Sequence, residues 1–450
     1  MPILPIDTGR YGSPEIRKVF DEEARLQRFL DVEAALAKAH AELGNIPAEA
    51  AEEIASKANV NYVKLERVKE IEARIKHDLM AVVEALEEVC GPHGRFVHFG
   101  ATSYDIEDTA TALQLKEALE IIEARMLEVV KELLRLTEEH AETVMVGRTH
   151  GQHAPPITLG FKFAVWLREM ARHVERLKQV RERVLVGKMS GAVGTMAGFG
   201  PKALELQRRV MEILGLKPAE ISTQIVQRDR YAELISLFAL IASSLDKFAT
   251  EIRNLQRPEI MEVAEGFEAE QVGSSTMPHK QNPITCERIC SLAKLVRGLV
   301  VPAYENIPLW HERDLTNSAS ERFLIPESCI LLEEMLRSTV SVLRGLRIYP
   351  DNMRKNLELT QGRILSEAVM LAMVKKGVPR KQAHEKFRRL SAKSMLEKRT
   401  LLEVALEDPE VSRLLSREEL ERLLNAEEYL GMSVKLARDM VELTRKELGL

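Results

Sequence analysis

Apolar residues recur at helical spacing along most of this 450-residue chain, and short polar islands punctuated by glycine or proline interrupt them. After an irregular opening over residues 1 to about 20, Asp21–Leu43 predicts an amphipathic helix stopping at Gly44. Ala48–Lys57 predicts a second helix, and Tyr62 to about Cys90 a third. Between Ala101 and Val146 there is neither Gly nor Pro, and Leu115, Leu119, Ile122, Met126, Val129, Leu133 and Leu136 step alternately by four and three residues. That is a heptad seam on one long helix. Thr102 and Asp105 ahead of it have capping-box spacing, with Ser103 as an alternative N-cap. A second seam, Leu234, Phe238, Ile241, Leu245, Phe248, Ile252 and Leu255, lies between Pro218 and Pro258, and Phe161–Val186 is a third unbroken stretch. Residues 284–301 and 318–348 predict two more helices, the latter with Pro326 near its start. Shorter helices follow Pro350. The pattern predicts an all-α chain of three helical domains: 1–104, a central long-helix bundle at 105–350, and a small domain at 351–450. So many apolar stripes exceed what one thin bundle buries, so bundles from several subunits are expected to join in a homo-oligomer.

Composition supports the helices and removes several functions. Only 5% of residues are aromatic, and 45% hydrophobic with 30% charged suits a large core. A net charge of −5 provides no global attraction to nucleic acid or an anionic membrane. No uncharged apolar run approaches membrane-spanning length. The opening Met1-Pro2-Ile3-Leu4-Pro5 lacks a basic region followed by an apolar run, so no signal peptide is expected. Cys90, Cys286, Cys290 and Cys329 contain no CxxC pair, which disfavours disulfides or structural zinc and fits a reducing, cytoplasmic setting.

The chemistry sits in the polar islands. The richest is Gly273-Ser274-Ser275-Thr276-Met277-Pro278-His279-Lys280-Gln281-Asn282-Pro283, a shaped loop between helices. Others are Thr102-Ser103, Gly147-Arg148-Thr149-His150-Gly151-Gln152-His153, Ser222-Thr223-Gln224 and Trp310-His311-Glu312-Arg313-Asp314, the last followed by Ser318 and Arg322. His150-x-x-His153 lacks a third ligand at fixed spacing and HExxH is absent, so no metal is expected. A G-x-S-x-G elbow, a P-loop and a dinucleotide-binding glycine motif are also missing. Histidines, hydroxyls, Lys280, Asn282 and several arginines remain, suited to cofactor-free acid/base chemistry on a polyanionic organic substrate. Taken alone, Arg10-Tyr11 reads as a surface arm, His77 within Lys76-His77-Asp78 as a structural histidine, and Arg313 and Arg322 as surface partners of Glu312 and Glu321.

The Gly273–Pro283 run resembles the G-S-S-x-M-P-x-K-x-N-P motif of the fumarase/aspartase superfamily. Within it the chain is most similar to the adenylosuccinate lyase family, through Arg10-Tyr11, His77-Asp78, Val97-His98-Phe99-Gly100 with Thr102-Ser103, Gly147–Gly151, Ser222–Gln224 with Gln227-Arg228-Asp229-Arg230, and Tyr304–Asp314. Argininosuccinate lyase, aspartase, fumarase and carboxymuconate cycloisomerase share the loop, and a scaffold that has lost catalysis is a rival of another class. The resemblance implies a homotetramer with a multi-subunit helical core, active sites shared between subunits, a nucleotide substrate and no cofactor. It implies β-elimination of fumarate from adenylosuccinate and from the succinylated aminoimidazole carboxamide ribotide. Ser274 is implied as base, with Ser275 the alternative, and His150 as acid. Glu287 would orient His150, His77 would be a second active-site histidine, and Lys280 would supply positive charge. Thr102, Ser103, Gln224, Lys280 and Asn282 would hold the succinyl carboxylates; Arg10, Tyr11, Arg313, Ser318 and Arg322 would bind the nucleotide monophosphate end; His77 would lie near the leaving group or the phosphate, and Lys76, Asp78 and Met277 would also bind substrate. Lys76 and Gln281 stand where the family more often has Arg.

Overall fold

The computed structural model describes residues 3–268 and 270–450; Met1 and Pro2 of the opening segment lie outside them. The chain begins with a short helix, α1 (Pro14–Val19), where the sequence pattern predicts irregular chain. Ser13 makes it possible by accepting the Ile16 N–H, with Pro14 pre-set at the first helical position. Helices α2 (Glu22–Glu42) and α3 (Ala48–Lys57) follow as expected, α2 capped by the Asp21 carboxylate accepting the Ala24 N–H at 2.7 Å.

The third expected helix is two. It breaks into α4 (Leu65–Ile75) and α5 (Asp78–Val89) because Lys76 adopts a left-handed backbone, φ 59°, and the His77 Nδ1 accepts the Met80 N–H at 3.3 Å to cap α5. The long helix α6 (Ser103–Glu139) is 37 residues, and it stops short of the expected Val146. The chain there turns into a hairpin, β1 (Val144–Thr149) paired antiparallel with β2 (Gln152–Thr158). Helices α7 (Leu159–Val184), α8 (Ala203–Leu214), α9 (Asp229–Leu255), α10 (Ile284–Gly298), α11 (Val300–Glu305) and α12 (Ser318–Arg344) complete the middle of the chain. Seven further α-helices among the described residues, α13 (Pro350–Glu358) through α19 (Ser433–Leu448), form the C-terminal part. The chain is all-α, with the hairpin and a few two-residue strand pairings as its β-structure. No helix among the described residues is long and apolar enough to cross a membrane.

Both heptad seams are buried within the chain itself, every seam position from Leu115 to Leu136 and from Leu234 to Leu255 being at 2% exposure or less. The seams therefore need no partner, contrary to the expectation from the pattern. Other large apolar side chains on long helices are exposed, among them Val165, Leu240, Leu295 and Phe323.

The chain divides into two compact units. One comprises the residues up to Leu127, His173–Leu245 and Ser291–Arg337. Its core gathers Leu30, Leu36, Ile54, Leu79, Leu86, Ile106 and Leu206. The other comprises Glu128–Arg172, Asp246–Cys290 and Ser338–Leu450. It stacks Trp166 on Phe248 with ring centroids 4.8 Å apart, and it contains a C-terminal cluster built on Val369, Met373, Phe387, Val404 and Leu420.

In the first unit the start of α6 is fixed by a buried ion pair. The Asp105 carboxylate, fully buried, accepts the backbone N–H groups of Thr102 at 2.9 Å, Ser190 at 2.8 Å and Gly191 at 3.1 Å, as well as the fully buried Lys188 ammonium. Lys188→Met leaves this carboxylate without its counter-charge and is expected to cost about 3–5 kcal/mol. Calorimetry should record a clearly lower unfolding midpoint; an unchanged one would mean that the amides alone hold Asp105.

Candidate active site

The break between α4 and α5, the start of α6 and the start of α12 together line one cleft of about 460 Å³ in the first unit. It brings together Lys76, His77, Asp78, Thr102, Ser103, Gln224, Arg313, Ser318 and Arg322, nine residues singled out from the sequence. Asp78 accepts the Leu79 N–H at 2.8 Å and pairs with Arg322. Burial opposes its ionisation, but that N–H and the guanidinium prevail and hold its carboxyl below the ordinary value. Ser318 and Arg322, one helical turn apart, both face the cleft. Pro326, a turn further on, has no N–H to offer the Arg322 carbonyl.

Arg313 and Arg322 do not form the surface pairs with Glu312 and Glu321 that their neighbours suggest. Arg322 pairs with Asp78, while Glu321 lies 2.9 Å from the buried Arg228, which also pairs with Asp108 at 2.8 Å. Arg313 donates to the Gln224 Oε1 at 3.1 Å, and its guanidinium lies 3.6 Å from the Tyr104 ring centroid. Its Nε and Nη2 are buried without a hydrogen-bond partner among the described residues, so unsatisfied donors lie beside the cleft. Gln224 in turn donates to the Ala192 carbonyl at 3.1 Å. Arg10 and Tyr11 do not line this cleft; their backbone N–H groups turn back onto the Pro5 carbonyl, and Arg10 is exposed.

A second cleft, of about 900 Å³, lies in the other unit. Met277, Lys280, Asn282 and Glu287 line it together with Arg253, Arg257, Arg347 and Tyr349. The loop 273–283 is laced to itself. The Ser274 Oγ accepts the N–H groups of Thr276 at 3.3 Å and Met277 at 3.0 Å, and Asn282 donates to the Gly273 carbonyl at 2.8 Å. A Cβ at Gly273 would collide with the Lys280 carbonyl oxygen, so glycine is required for this closure. Gln281 accepts from Arg347 at 2.8 Å, which an arginine there could not do. Helix α10 then starts under the Glu265 carboxylate, which accepts the N–H groups of Thr285 at 3.0 Å and Cys286 at 2.9 Å and fixes the turn carrying Glu287.

His150 lines neither cleft but stands at the tip of the hairpin in the second unit. Thr149 pairs with Gln152, leaving a two-residue turn in which His150 has φ 54° and Gly151 φ 72°. Two positive φ values make this the I′ turn that suits a twisted hairpin, and glycine takes the second position without strain. Below the tip Arg148 donates twice to the buried Glu262, both at 2.8 Å, and Asn356 donates to the same carboxylate at 2.8 Å. Ser274 and Ser275 line neither cleft.

The Lyase family model matches residues 9–298, and the Adenylosuccinate lyase C-terminus model matches residues 362–440. The chain is 57% identical to adenylosuccinate lyase of Pyrococcus horikoshii over 442 residues, covering 98% of each. The chain belongs to the adenylosuccinate lyase family. It is also 56% identical to the adenylosuccinate lyase of Pyrococcus abyssi, again over 98% of each chain. Its fold is similar to the crystal structure of 3-carboxy-cis,cis-muconate lactonizing enzyme from Pseudomonas putida, with TM-score 0.90 and 35% identity over 99% of this chain and 100% of that one. The family match at 362–440 lies where the sequence pattern offers only helical character.

Two cleft residues, Tyr104 and Glu107, carry no motif signal; each looks like an ordinary position on α6. Glu265 is likewise silent in the sequence, because its partners lie twenty residues away. Glu265→Ala is expected to weaken the start of α10 by about 1 kcal/mol. Hydrogen exchange at the Thr285 and Cys286 amides should accelerate, and unchanged protection would remove Glu265 from the support of Glu287.

Proposed function

We propose that the chain cleaves adenylosuccinate to AMP and fumarate, and the succinylated aminoimidazole carboxamide ribotide to AICAR and fumarate, in purine biosynthesis. The observation that carries the substrate is the C-terminal match: the loop is common to the superfamily, whereas residues 362–440 match the Adenylosuccinate lyase C-terminus model. The full-length relatives named adenylosuccinate lyase support the same reading.

The reaction breaks a carbon-bound proton and a carbon–nitrogen bond. Ser274 takes the proton β to the departing nitrogen, and the resulting dianionic aci-carboxylate is held by fixed donors. Its electrons then expel the nitrogen, which receives a proton from His150. A serine is normally too weak a base for the first step. The two N–H groups aimed at the Ser274 Oγ are the kind of donors that stabilise an alkoxide, which supports Ser274 over Ser275, and Lys280 on the same loop adds positive charge. Glu287 orients His150 from another subunit, and His77 lies at the leaving-group end. Thr102, Ser103, Gln224, Met277, Lys280 and Asn282 hold the succinyl part. Arg313, Ser318 and Arg322, with Arg10 and Tyr11 from a neighbouring subunit, bind the nucleotide monophosphate; the unsatisfied Arg313 donors support this. Gln281, paired with Arg347, does not touch substrate in this reading, and Lys76 supplies charge without a bidentate fork.

The chain works as a homotetramer in the cytoplasm, organised in three domains at 1–104, 105–350 and 351–450, with active sites shared between subunits. The separation of the proposed residues into different clefts, and the apolar side chains exposed on α7, α9, α10 and α12, support the sharing. Light scattering should return a tetramer at micromolar concentration, and a monomer would refute the shared site.

Loss of the ultraviolet absorbance of adenylosuccinate on mixing with the protein tests the reaction. Cleavage of argininosuccinate or aspartate in its place would overturn the assignment. His150→Gln and Ser274→Ala should each lower turnover by about 10²-fold or more while leaving the chain folded. Mixing the two inactive variants should restore part of the activity.

A further inference from the structure

Glu107 sits on the second turn of α6, 8% exposed, and lines both the first cleft and a small chamber of about 110 Å³ beside it. Arg25 on α2, Asp78 on α5, and Glu321 and Arg322 on α12 face it, and Glu72, Lys76, His77 and Arg313 line the same cleft. Asp108 and Tyr104 flank it on α6. Three of the other acids here are already engaged. Asp78 holds Arg322, and Asp108 and Glu321 hold Arg228. The Glu107 carboxyl has no hydrogen-bond or ion-pair partner among the described residues, and it is more deeply buried than Glu72, the other unpaired acid of the cleft.

We propose that Glu107 is a further substrate-binding residue: as the neutral acid it donates a hydrogen bond to the anion held by Arg322 and Ser318, so that the cleft takes up a proton when it binds this anion. The proposal rests on the reading that this cleft receives the phosphate end of the nucleotide.

The physical case is one of charge balance. An ionised Glu107 would face an incoming dianion at close range inside a desolvated cleft, whereas the protonated group supplies a donor. Burial, reinforced by the Asp78 charge and opposed by Arg25, pushes its carboxyl up to about 7. A bound anion raises it further, because it adds negative charge beside the group. Protonation and binding therefore strengthen each other reciprocally. A group whose pKa rises on binding favours the complex at low pH, and that contribution is lost as pH climbs through the value of the free site.

AMP binding to the full-length protein, measured by isothermal titration calorimetry from pH 7.0 to 8.5, tests this, since the phosphate of AMP is then mostly a dianion. The dissociation constant should rise about fivefold between pH 7 and 8, and heats in two buffers of different ionisation enthalpy should report uptake of about 0.7 proton per AMP at pH 7.5. Glu107→Gln should bind AMP with a flat profile and no uptake through this group. A flat profile in the wild-type protein, the absence of proton uptake, or a Glu107→Gln variant that keeps the wild-type slope would each overturn the role of Glu107 while leaving the cleft reading intact. Absence of AMP binding at every pH would overturn the cleft reading itself. Absence of proton uptake by the wild-type protein overturns the role of Glu107 even if the variant does not fold, and loss of uptake in Glu107→Gln separates this group from His77.

Discussion

The first cleft depends on one buried carboxylate. Asp105 draws the Thr102 amide, the Ser190 and Gly191 amides and the Lys188 ammonium onto a single group from which water is excluded. A charge in such a place is tolerated only because every partner is supplied, and supplying them forces separate stretches of chain into register. Thr102 and Ser103 thereby arrive at the mouth of the cleft, and the loop after Lys188 presents Ala192 to Gln224. Gln224 then meets Arg313, whose buried Nε and Nη2 have no hydrogen-bond partner among the described residues. Binding groups far apart in sequence are thus placed by a residue that touches no substrate in the proposed mechanism.

The second unit uses backbone closure for the same purpose. Loop 273–283 turns its own N–H groups onto Ser274 and its own amide side chain onto Gly273, so the donors around the proposed base come from the loop that carries it. Glu265 and Arg347 tie the two ends of that loop to the unit around it. Such preorganisation spares the reaction the cost of arranging donors as charge develops.

Much of this was legible in the residues because it is local. Caps at Asp21 and apolar spacing along α2, α3, α6 and α9 are written within a few residues of where they act, and the Gly273–Pro283 run is dense enough to name its superfamily. The break at Lys76 is not legible, since a lysine at φ 59° leaves no glycine or proline to announce it. The hairpin after Glu139 hides for a related reason: a stretch free of glycine and proline invites extension of a helix, although β-branched Val144, Val146 and Thr149 and the pair His150-Gly151 favour strands and a tight turn. The burial of both seams within one chain depends on how many helices surround each, which no single periodicity encodes. Tyr104 and Glu107 become visible only when α5, α6 and α12 bring their neighbours together.

The two-residue turn that presents His150 also sets a rule for how this part of the chain can vary. Side chains alternate between faces along a strand, so adding or removing one residue in the hairpin would change the turn class and swing the imidazole to the opposite side. Length here is counted in whole steps rather than graded. Substitutions can tune the ring's surroundings, but a single-residue insertion is an all-or-nothing event, and the reach of the proposed acid is held by the arithmetic of strand pairing.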